Sequence, residues 1–121
     1  MAEVEIACRP PGYVLVRVDG EVDLHTRLPL VEAVDRAALD GDGPVVVDLC
    51  GVCFFSLAGV DWVEATVSAL AARGRTVRVV CAASGPVWRL VRLLGLDQRW
   101  PLRHSVSDAV ADLQTLQSST R

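Results

Sequence analysis

The amino-acid sequence predicts one α/β domain with a mixed, mostly parallel β-sheet flanked by about four α-helices. Segments with strand periodicity alternate with segments of helical periodicity along the chain, as in proteins built on parallel strands. Two strand-like segments open the chain, and Pro10, Pro11 and Gly12 between them predict a β-hairpin. The chain has 121 residues, 51% of them hydrophobic, which suits a single domain with its own core.

The first half of the chain contains three predicted strands and one predicted helix. Alternating apolar residues predict strands over Val4–Cys8 and Tyr13–Asp19, followed by a turn over Gly20–Asp23. From Leu24 the apolar period becomes helical. The residues predicted to face the core from this helix are Leu24, Leu28, Val31, Val34 and Ala38. A segment rich in Gly and Pro then leads into a buried strand, Val45–Leu49, and an apolar loop.

A second helix is predicted from Ala58 to Arg73, with Gly74 as its C-terminal cap. Its predicted core residues are Val60, Val63, Val67, Leu70 and Ala71. The next predicted strand is Thr76–Cys81.

The last third contains a short helix, a short strand and a final helix. Ser84 is predicted to cap the short helix, and Trp100–Arg103 to form the strand. The core residues of the short helix are predicted to be Val87, Leu90, Val91 and Leu94. Ser107 is predicted to cap a helix over Asp108–Leu116. Because the last residues are polar, we assign residues 1–117 to the domain and 118–121 to a disordered tail.

Composition argues against several classes of partner. A net charge of −3 argues against nucleic acid and against an anionic membrane surface. No apolar run approaches the roughly 18 residues that span a bilayer, and no basic segment precedes an apolar one at the N-terminus. We therefore expect a cytoplasmic protein without a membrane partner.

The sequence shows no complete catalytic, metal or cofactor motif. Cys50 and Cys53 form a C-x-x-C, but in the predicted loop instead of at a helix start, and all four cysteines are expected to be small buried residues. His25 and His104 are isolated, so no zinc site is expected. Ser56 lacks the preceding glycine of a nucleophile elbow. We expect no enzyme activity, no metal and no cofactor.

The predicted second helix has an apolar face opposite its core residues. It is formed by Ala58, Trp62, Ala65 and Ala69. Either a neighbouring helix covers this face, or it is a docking surface with Trp62 as its anchor.

Two segments resemble motifs of a known family, the STAS domains of bacterial anti-sigma factor antagonists. Residues Asp19–Leu24 with Thr26 resemble the turn before the family's first helix, and Val47–Val60 resembles its strand-to-helix segment. The order and spacing of these segments and of Ser84–Pro86 follow the family over nearly the whole chain. The resemblance implies a STAS-type fold.

The resemblance also implies a non-enzymatic function. Members bind an anti-sigma factor that is also a serine kinase, and phosphorylation of one antagonist serine reverses the binding. The family's phosphorylated serine falls at Leu57 in this chain, which has no hydroxyl group. The resemblance and the apolar face together imply docking through residues 54–62, the loop and the start of the second helix. The implied partner-binding residues are Asp23, Ser56, Leu57, Ala58, Gly59 and Trp62.

Three functions remain open from the sequence. The first is an antagonist that phosphorylation cannot switch off, which we favour. In the second, Ser56 has become the phosphoacceptor, displaced by one residue. The third is a thiol or small-ligand sensor, or a scaffold, that uses Cys50, Cys53 and Cys81. The sequence leaves a homodimer open.

Overall fold

Five strands form one sheet whose spatial order follows the chain, from β1 at one edge to β5 at the other. The computed structural model describes residues 2–10, 12–39 and 43–119. The strands are β1 (Ala2–Arg9), β2 (Tyr13–Val22), β3 (Val45–Phe55), β4 (Val77–Val80) and β5 (Leu102–Arg103). The helices are α1 (Arg27–Leu39), α2 (Leu57–Ala72), α3 (Pro86–Leu93) and α4 (Val106–Ser119).

The strand directions confirm the predicted mixed sheet. β1 and β2 are antiparallel, whereas β2 with β3, β3 with β4 and β4 with β5 are parallel. Each parallel step is joined by a helix, as parallel strands require. The predicted α/β domain with an opening β-hairpin is therefore present.

Helices cover both faces of the sheet. Val45 and Val47 of β3 lie in the larger core cluster, to which α1, α2 and α3 all contribute. Val46, which points to the opposite face, packs instead with Ala109 and Leu113 of α4. The near-continuous burial of β3 from Val45 to Leu49 follows from this double cover.

The predicted core face of the first helix is wrong. Leu24 is 69% exposed, Leu28 67% and Val31 38%, and of the described residues predicted to face the core from this helix Val34 alone is buried. Leu30 and Ala33 are buried instead of the others. The reason is local, because Leu24–Thr26 form a 3₁₀ turn before α1 begins at Arg27. A 3₁₀ turn advances more steeply per residue than an α-helix, so a face counted from Leu24 does not continue into α1. The side chain of Ala38 and residues 40–42 lie outside the described residues.

The predicted turn at Gly20–Asp23 and the predicted loop after Leu49 are wrong for the same reason. Residues 20–22 belong to β2, with only Asp23 outside it, and the residues after Leu49 belong to β3 as far as Phe55. The two segments are strand because they pair with each other: Asp19 lies opposite Gly51 and Val22 opposite Phe55. Two register shifts in this stretch accommodate the irregular pairing. The pairing of β2 with β3 is not local in sequence, so periodicity within either segment does not reveal it.

Smaller corrections concern helix ends and faces. The N-cap of α3 is Gly85 instead of Ser84, with a φ of 102° that suits glycine. Ser105 caps α4 in place of Ser107, since its Oγ accepts a hydrogen bond from the Asp108 N–H at 3.0 Å.

Ala71 and Leu94, which the sequence predicts to face the core, are exposed. The described residues end within α4 at Ser119, so part of the predicted tail lies outside them. No helix in the described ranges is long and apolar enough to cross a membrane.

An ion cluster fastens α4 to β4 and β5. Asp112 of α4 accepts hydrogen bonds from Arg78 and, at 3.0 Å, from Arg103. The hydrogen bond from Arg78, assisted by the positive charges of both arginines, lowers the pKa of Asp112 below its ordinary value of 3.8. The folded state therefore favours the ionised carboxylate.

Replacing Asp112 by asparagine is expected to lower the free energy of unfolding at neutral pH. Because folding lowers the pKa of Asp112, its contribution is present above pH 3.8 and is lost as the pH falls through the folded value. Asp112→Asn should therefore also flatten the pH dependence of stability below pH 3.8. Chemical unfolding across a pH series measures both effects. Asp35→Asn, at an exposed position of α1, is the matched control, and equal pH profiles for the two variants would contradict this account.

Candidate docking surface

The two segments that resemble family motifs meet at one end of the sheet. Val22, the last residue of β2, lies opposite Phe55, the last residue of β3. The Ser56 N–H donates a hydrogen bond to the Val22 carbonyl at 3.1 Å, and the Ser56 hydroxyl donates to the same oxygen at 3.3 Å. The residues that follow Val22 and Phe55 therefore start from one point of the fold.

Asp23 shapes the turn that follows β2, as the sequence predicted. Its Oδ1 accepts hydrogen bonds from the N–H groups of His25 at 2.9 Å and Thr26 at 3.1 Å. In return, the Asp23 N–H donates to Thr26 Oγ1 at 2.9 Å. These reciprocal bonds satisfy the first N–H groups of the 3₁₀ turn and fix Leu24 in its exposed position.

Large apolar side chains are exposed around this junction. Leu24 is 69% exposed, Phe54 50% and Leu57 62%. Leu24 is two residues past Val22, Phe54 lies opposite Glu21 of β2, and Leu57 is the first residue of α2. We call Leu24, Phe54 and Leu57 the apolar patch. These residues lie at or just after the ends of two paired strands, and exposed apolar residues at one end of a sheet are candidates for protein interaction.

The sequence analysis misses one of these three residues, because it places Leu24 in the core. Phe54 and Leu57 both lie within the predicted docking segment, residues 54–62. The position of Leu24 directly after the Asp23 turn is the signal that it precedes α1. Ser56 and Ala58, both half-buried, adjoin the apolar patch.

Trp62 does not belong to this surface. Its side chain is only 2% exposed, so it cannot serve as an exposed anchor, and that prediction is corrected. Trp62 lies in the same core cluster as Leu30 and Val34 of α1, and α1 packs against α2. Trp62 is therefore covered inside the molecule, whereas Ala65 and Ala69 of the same predicted face are exposed, so neither interpretation holds for the whole face.

Gly59 is also buried, so its role is to allow close packing and it is not a partner contact. A Cβ atom at Gly59 would lie 2.7 Å from Cε1 and 2.8 Å from Cδ1 of Phe55, and 3.0 Å from Cγ1 of Val22. The absence of a side chain thus allows the first turn of α2 to approach the ends of β2 and β3. This contact sets the position of Leu57, two residues earlier.

Replacing Gly59 by alanine is expected to destabilise the fold. Alanine would gain about 1 kcal/mol in helix propensity, but the overlap with Phe55 and Val22 requires both buried side chains to move. Such overpacking costs about 1–3 kcal/mol, so we expect a net loss measured by chemical unfolding. Ser68→Ala, at an exposed position of the same helix, should change stability by less than about 0.5 kcal/mol. A Gly59→Ala protein more stable than wild type would contradict the packing argument.

Gly51, in the irregular end of β3, lies opposite Asp19 of β2. A Cβ atom there would lie 1.7 Å from Oδ1 of Asp19 on the paired strand. In the same stretch of β3, buried Asp48 accepts a hydrogen bond from the Cys50 N–H at 3.0 Å. A side chain at position 51 would displace the carboxylate of Asp19, whereas the nearest backbone atom, the Asp19 Cα, would be 3.4 Å away and in ordinary contact.

The cysteines are not all buried, contrary to the prediction. Cys8, Cys50 and Cys53 are exposed, and only Cys81 is buried. Cys50 and Cys53 are surface residues because the predicted loop is strand and extends beyond the part of β3 that α4 covers. All four thiols are free.

Two of these thiols are poorly suited to thiolate chemistry. Partial burial, then the hydrogen bond and negative charge of Asp48, raise the pKa of Cys50 to about 12. Burial raises the pKa of Cys81 to about 11. Both groups therefore remain protonated at neutral pH. Across the described ranges, no group of three or more His, Cys, Asp or Glu residues could hold a metal ion.

We expect Cys50 to react slowly with an alkylating reagent at neutral pH, although its residue is exposed. A pKa of about 12 leaves a very small thiolate fraction, and the thiolate is the nucleophile. Quenched alkylation followed by peptide mass spectrometry gives the rate at each cysteine, with Cys8 and Cys53 as exposed internal controls. Alkylation of Cys50 faster than a free model thiol would contradict this assignment and revive a sensor function.

The fold and the site define a class of protein. The family model described as "Mlab, STAS domain" matches residues 9–107, and the chain belongs to the STAS domain family. This confirms the resemblance inferred from the two motifs.

The relatives narrow the class further. The chain is 30% identical over 104 residues to the anti-sigma-F factor antagonist RsfB of Mycobacterium tuberculosis, covering 85% of this chain and 83% of RsfB. The crystal structure of an anti-sigma factor antagonist from Mycobacterium paratuberculosis matches with a TM-score of 0.81 at 26% identity, over 94% of this chain and 95% of that one. A Thermotoga maritima structure described as a putative antagonist shares the fold, with a TM-score of 0.77 at 14% identity over 92% and 94% of the chains.

Proposed function

We propose that this chain is a regulatory binding protein that acts as an anti-sigma factor antagonist and docks on its partner through the apolar patch. The observation that carries the proposal is the exposure of Leu24, Phe54 and Leu57 where the two family motifs meet. The relatives named above are anti-sigma factor antagonists, which supports an anti-sigma factor as the partner.

The apolar patch is suited to binding because it exposes large apolar side chains and because neighbouring contacts hold two of them in place. Burying one large apolar side chain completely contributes about 1.5–3 kcal/mol, so three half- to two-thirds-exposed residues can supply several kcal/mol to an interface. The Asp23 turn and the Gly59 contact hold Leu24 and Leu57 in place before the partner arrives. A preformed surface loses less conformational entropy on binding.

The proposed partner is an anti-sigma factor with serine kinase activity, but we propose that this kinase does not switch the interaction. Leu57 stands at the position of the family's phosphorylated serine and offers no acceptor oxygen. Leu57 is 62% exposed at the start of α2, so it is available as an apolar contact instead.

Ser56 is a poor substitute as phosphoacceptor. It is half-buried, precedes α2 as its N-cap, and its hydroxyl is engaged with the Val22 carbonyl at 3.3 Å. Ser56 also has an extended backbone, with φ −101° and ψ 178°, whereas Leu57 is the first helical residue of α2. A kinase that reaches the position of Leu57 would therefore find the Ser56 hydroxyl in a different direction.

Affinity capture from the protein's own host tests the proposal. Tagged wild-type protein and a Ser56→Ala control are incubated in host extract with and without ATP, and mass spectrometry identifies partners and phosphate. Retention of a serine-kinase anti-sigma factor in ATP is the expected result. Loss of that partner in ATP, with phosphate on Ser56 of the wild type alone, would establish a relocated switch. Absence of any anti-sigma factor would overturn the proposed function.

A further inference from the structure

β1 is a long strand with a free edge. It pairs along its eight residues, Ala2–Arg9, with β2 on one side. On its other side, no strand of the described ranges pairs with it, since β1 ends the sheet order. A free edge presents unpaired backbone N–H and C=O groups that can accept a further strand. The opposite edge, β5, has only two residues and offers no comparable template.

The side chains of β1 alternate between two kinds of surface. Val4 and Ile6 are partly buried and pack against the larger core cluster. Glu3, Glu5 and Arg9 are exposed. Because β1 carries both negative and positive side chains, two antiparallel copies of it can attract each other. This requires a register that places a glutamate of one copy opposite an arginine of the other.

We propose that β1 pairs antiparallel with β1 of a second copy of this chain, with Ile6 at the centre. A two-fold axis through Ile6 places Glu3 opposite Arg9 of the second copy, twice by symmetry. On the other face of the sheet it places Val4 opposite Cys8 and Ile6 opposite itself. Directly opposed side chains stabilise antiparallel pairs when they are apolar or oppositely charged. This register satisfies one of these conditions at every pair except Glu5 with Ala7, which is neutral.

The neighbouring registers are less favourable. A two-fold axis through Glu5 opposes two glutamates, which is destabilising, and leaves Arg9 beyond the end of the partner strand. A two-fold axis through Ala7 places Glu5 opposite Arg9 of the second copy. It leaves Glu3 without a residue of the partner strand opposite it, and fewer residues of the two strands are paired. Charge complementarity over the full strand therefore selects the axis through Ile6.

A groove beside β1 supports the same partner. It has a volume of about 380 Å³ and lies between β1 and α1. Val4, Ile6, Pro29 and Ala33 line it together with the charged residues Glu32 and Arg36. The even-numbered residues of the two paired strands share one sheet face. The second copy would therefore extend the apolar floor of this groove with its own Val4, Ile6 and Cys8.

This interface is separate from the apolar patch. β2 lies between β1 and β3, and the patch residue Phe54 belongs to β3. The dimer would leave both copies of the patch free. The proposal goes beyond the proposed function and does not depend on the identity of any other partner.

A disulfide trap tests the register. In Val4→Cys the new thiol faces native Cys8 of the second copy, whereas residues 4 and 8 of one extended strand lie about 13 Å apart and cannot be bridged within a chain. Mild oxidation should give a covalent dimer whose cross-linked peptides join the introduced cysteine to Cys8. Ala2→Cys, on the same face of the strand, is the matched control, because it faces Cys8 only in the register centred on Glu5. Cross-linking to Cys8 that is equal or greater in Ala2→Cys would overturn the proposed register.

Sedimentation equilibrium tests the dimer without oxidation. Arg9→Glu should weaken dimerisation roughly tenfold, because the new glutamate at position 9 would face Glu3 of the second copy at both symmetric positions. The double variant with Glu3→Arg and Arg9→Glu should restore the wild-type dissociation constant. A wild-type protein that is monomeric at every concentration, or a double variant no better than Arg9→Glu, would overturn the proposal. Circular dichroism confirms that each variant is folded.

Discussion

Replacing Leu57 by glutamate is expected to weaken binding to the anti-sigma factor by roughly a hundredfold or more. The substitution places a carboxylate in the centre of the proposed interface, where a buried charge without a partner costs several kcal/mol. It also places a negative charge at the position where the resemblance puts the family's phosphorylated serine. Isothermal titration calorimetry with the captured anti-sigma factor measures the effect.

The fold should tolerate this change. Leu57 is 62% exposed, and an acidic residue in the first turn of α2 interacts favourably with the helix dipole. Leu93→Glu is the matched control, because Leu93 is 80% exposed at the end of α3 and outside the apolar patch. We expect its affinity to equal that of the wild type. Equal losses in both variants, or none in Leu57→Glu, would remove the apolar patch from the interface.

Replacing Trp62 by alanine is expected to lower the free energy of unfolding by about 3–5 kcal/mol. The side chain is 2% exposed within the core cluster shared by α1 and α2, so its removal leaves a large cavity. A loss of this size is a large fraction of the net stability of a small domain. Chemical unfolding monitored by far-ultraviolet circular dichroism measures it without relying on tryptophan fluorescence.

Trp88→Ala provides the comparison for Trp62→Ala. Trp88 is only half-buried and contacts His104 edge-to-face at 4.7 Å between ring centroids, so its removal should cost clearly less. A Trp62→Ala protein with wild-type stability and selectively impaired partner binding would contradict the structure and return Trp62 to the docking surface.

The order of elements could be predicted because it depends on local patterns. Buried strands such as Val45–Leu49 and the capped helices have periodicities that neighbouring residues reveal. The core residues of the first helix were predicted wrongly because the helical period was counted from Leu24, which lies in the 3₁₀ turn fixed by Asp23. A three-residue turn carries no periodicity of its own, so the exposed position of Leu24 could not be read from the apolar pattern.

The candidate site was only partly predictable because two of its features depend on contacts between distant segments. The extended ends of β2 and β3 exist because they pair, which places Phe54 opposite Glu21. The burial of Trp62 depends on α1 packing against α2. An apolar residue on a second helix face looks the same in sequence whether a helix or a partner covers it. By contrast, Leu57 and the missing hydroxyl were visible in the sequence directly.

The most direct test of the central claim is the affinity of wild-type protein for the captured serine-kinase anti-sigma factor, measured with ADP and again after incubation with ATP. The positive control is Leu57→Ser, which places a hydroxyl where the resemblance puts the family's phosphorylated serine. We expect this variant to become phosphorylated in ATP and to lose affinity for the anti-sigma factor. We predict that the wild-type dissociation constant is the same in both nucleotides and that no phosphate is found on Ser56. A wild-type affinity that falls in ATP together with phosphate on Ser56 would contradict the claim that this surface binds without a phosphoserine switch.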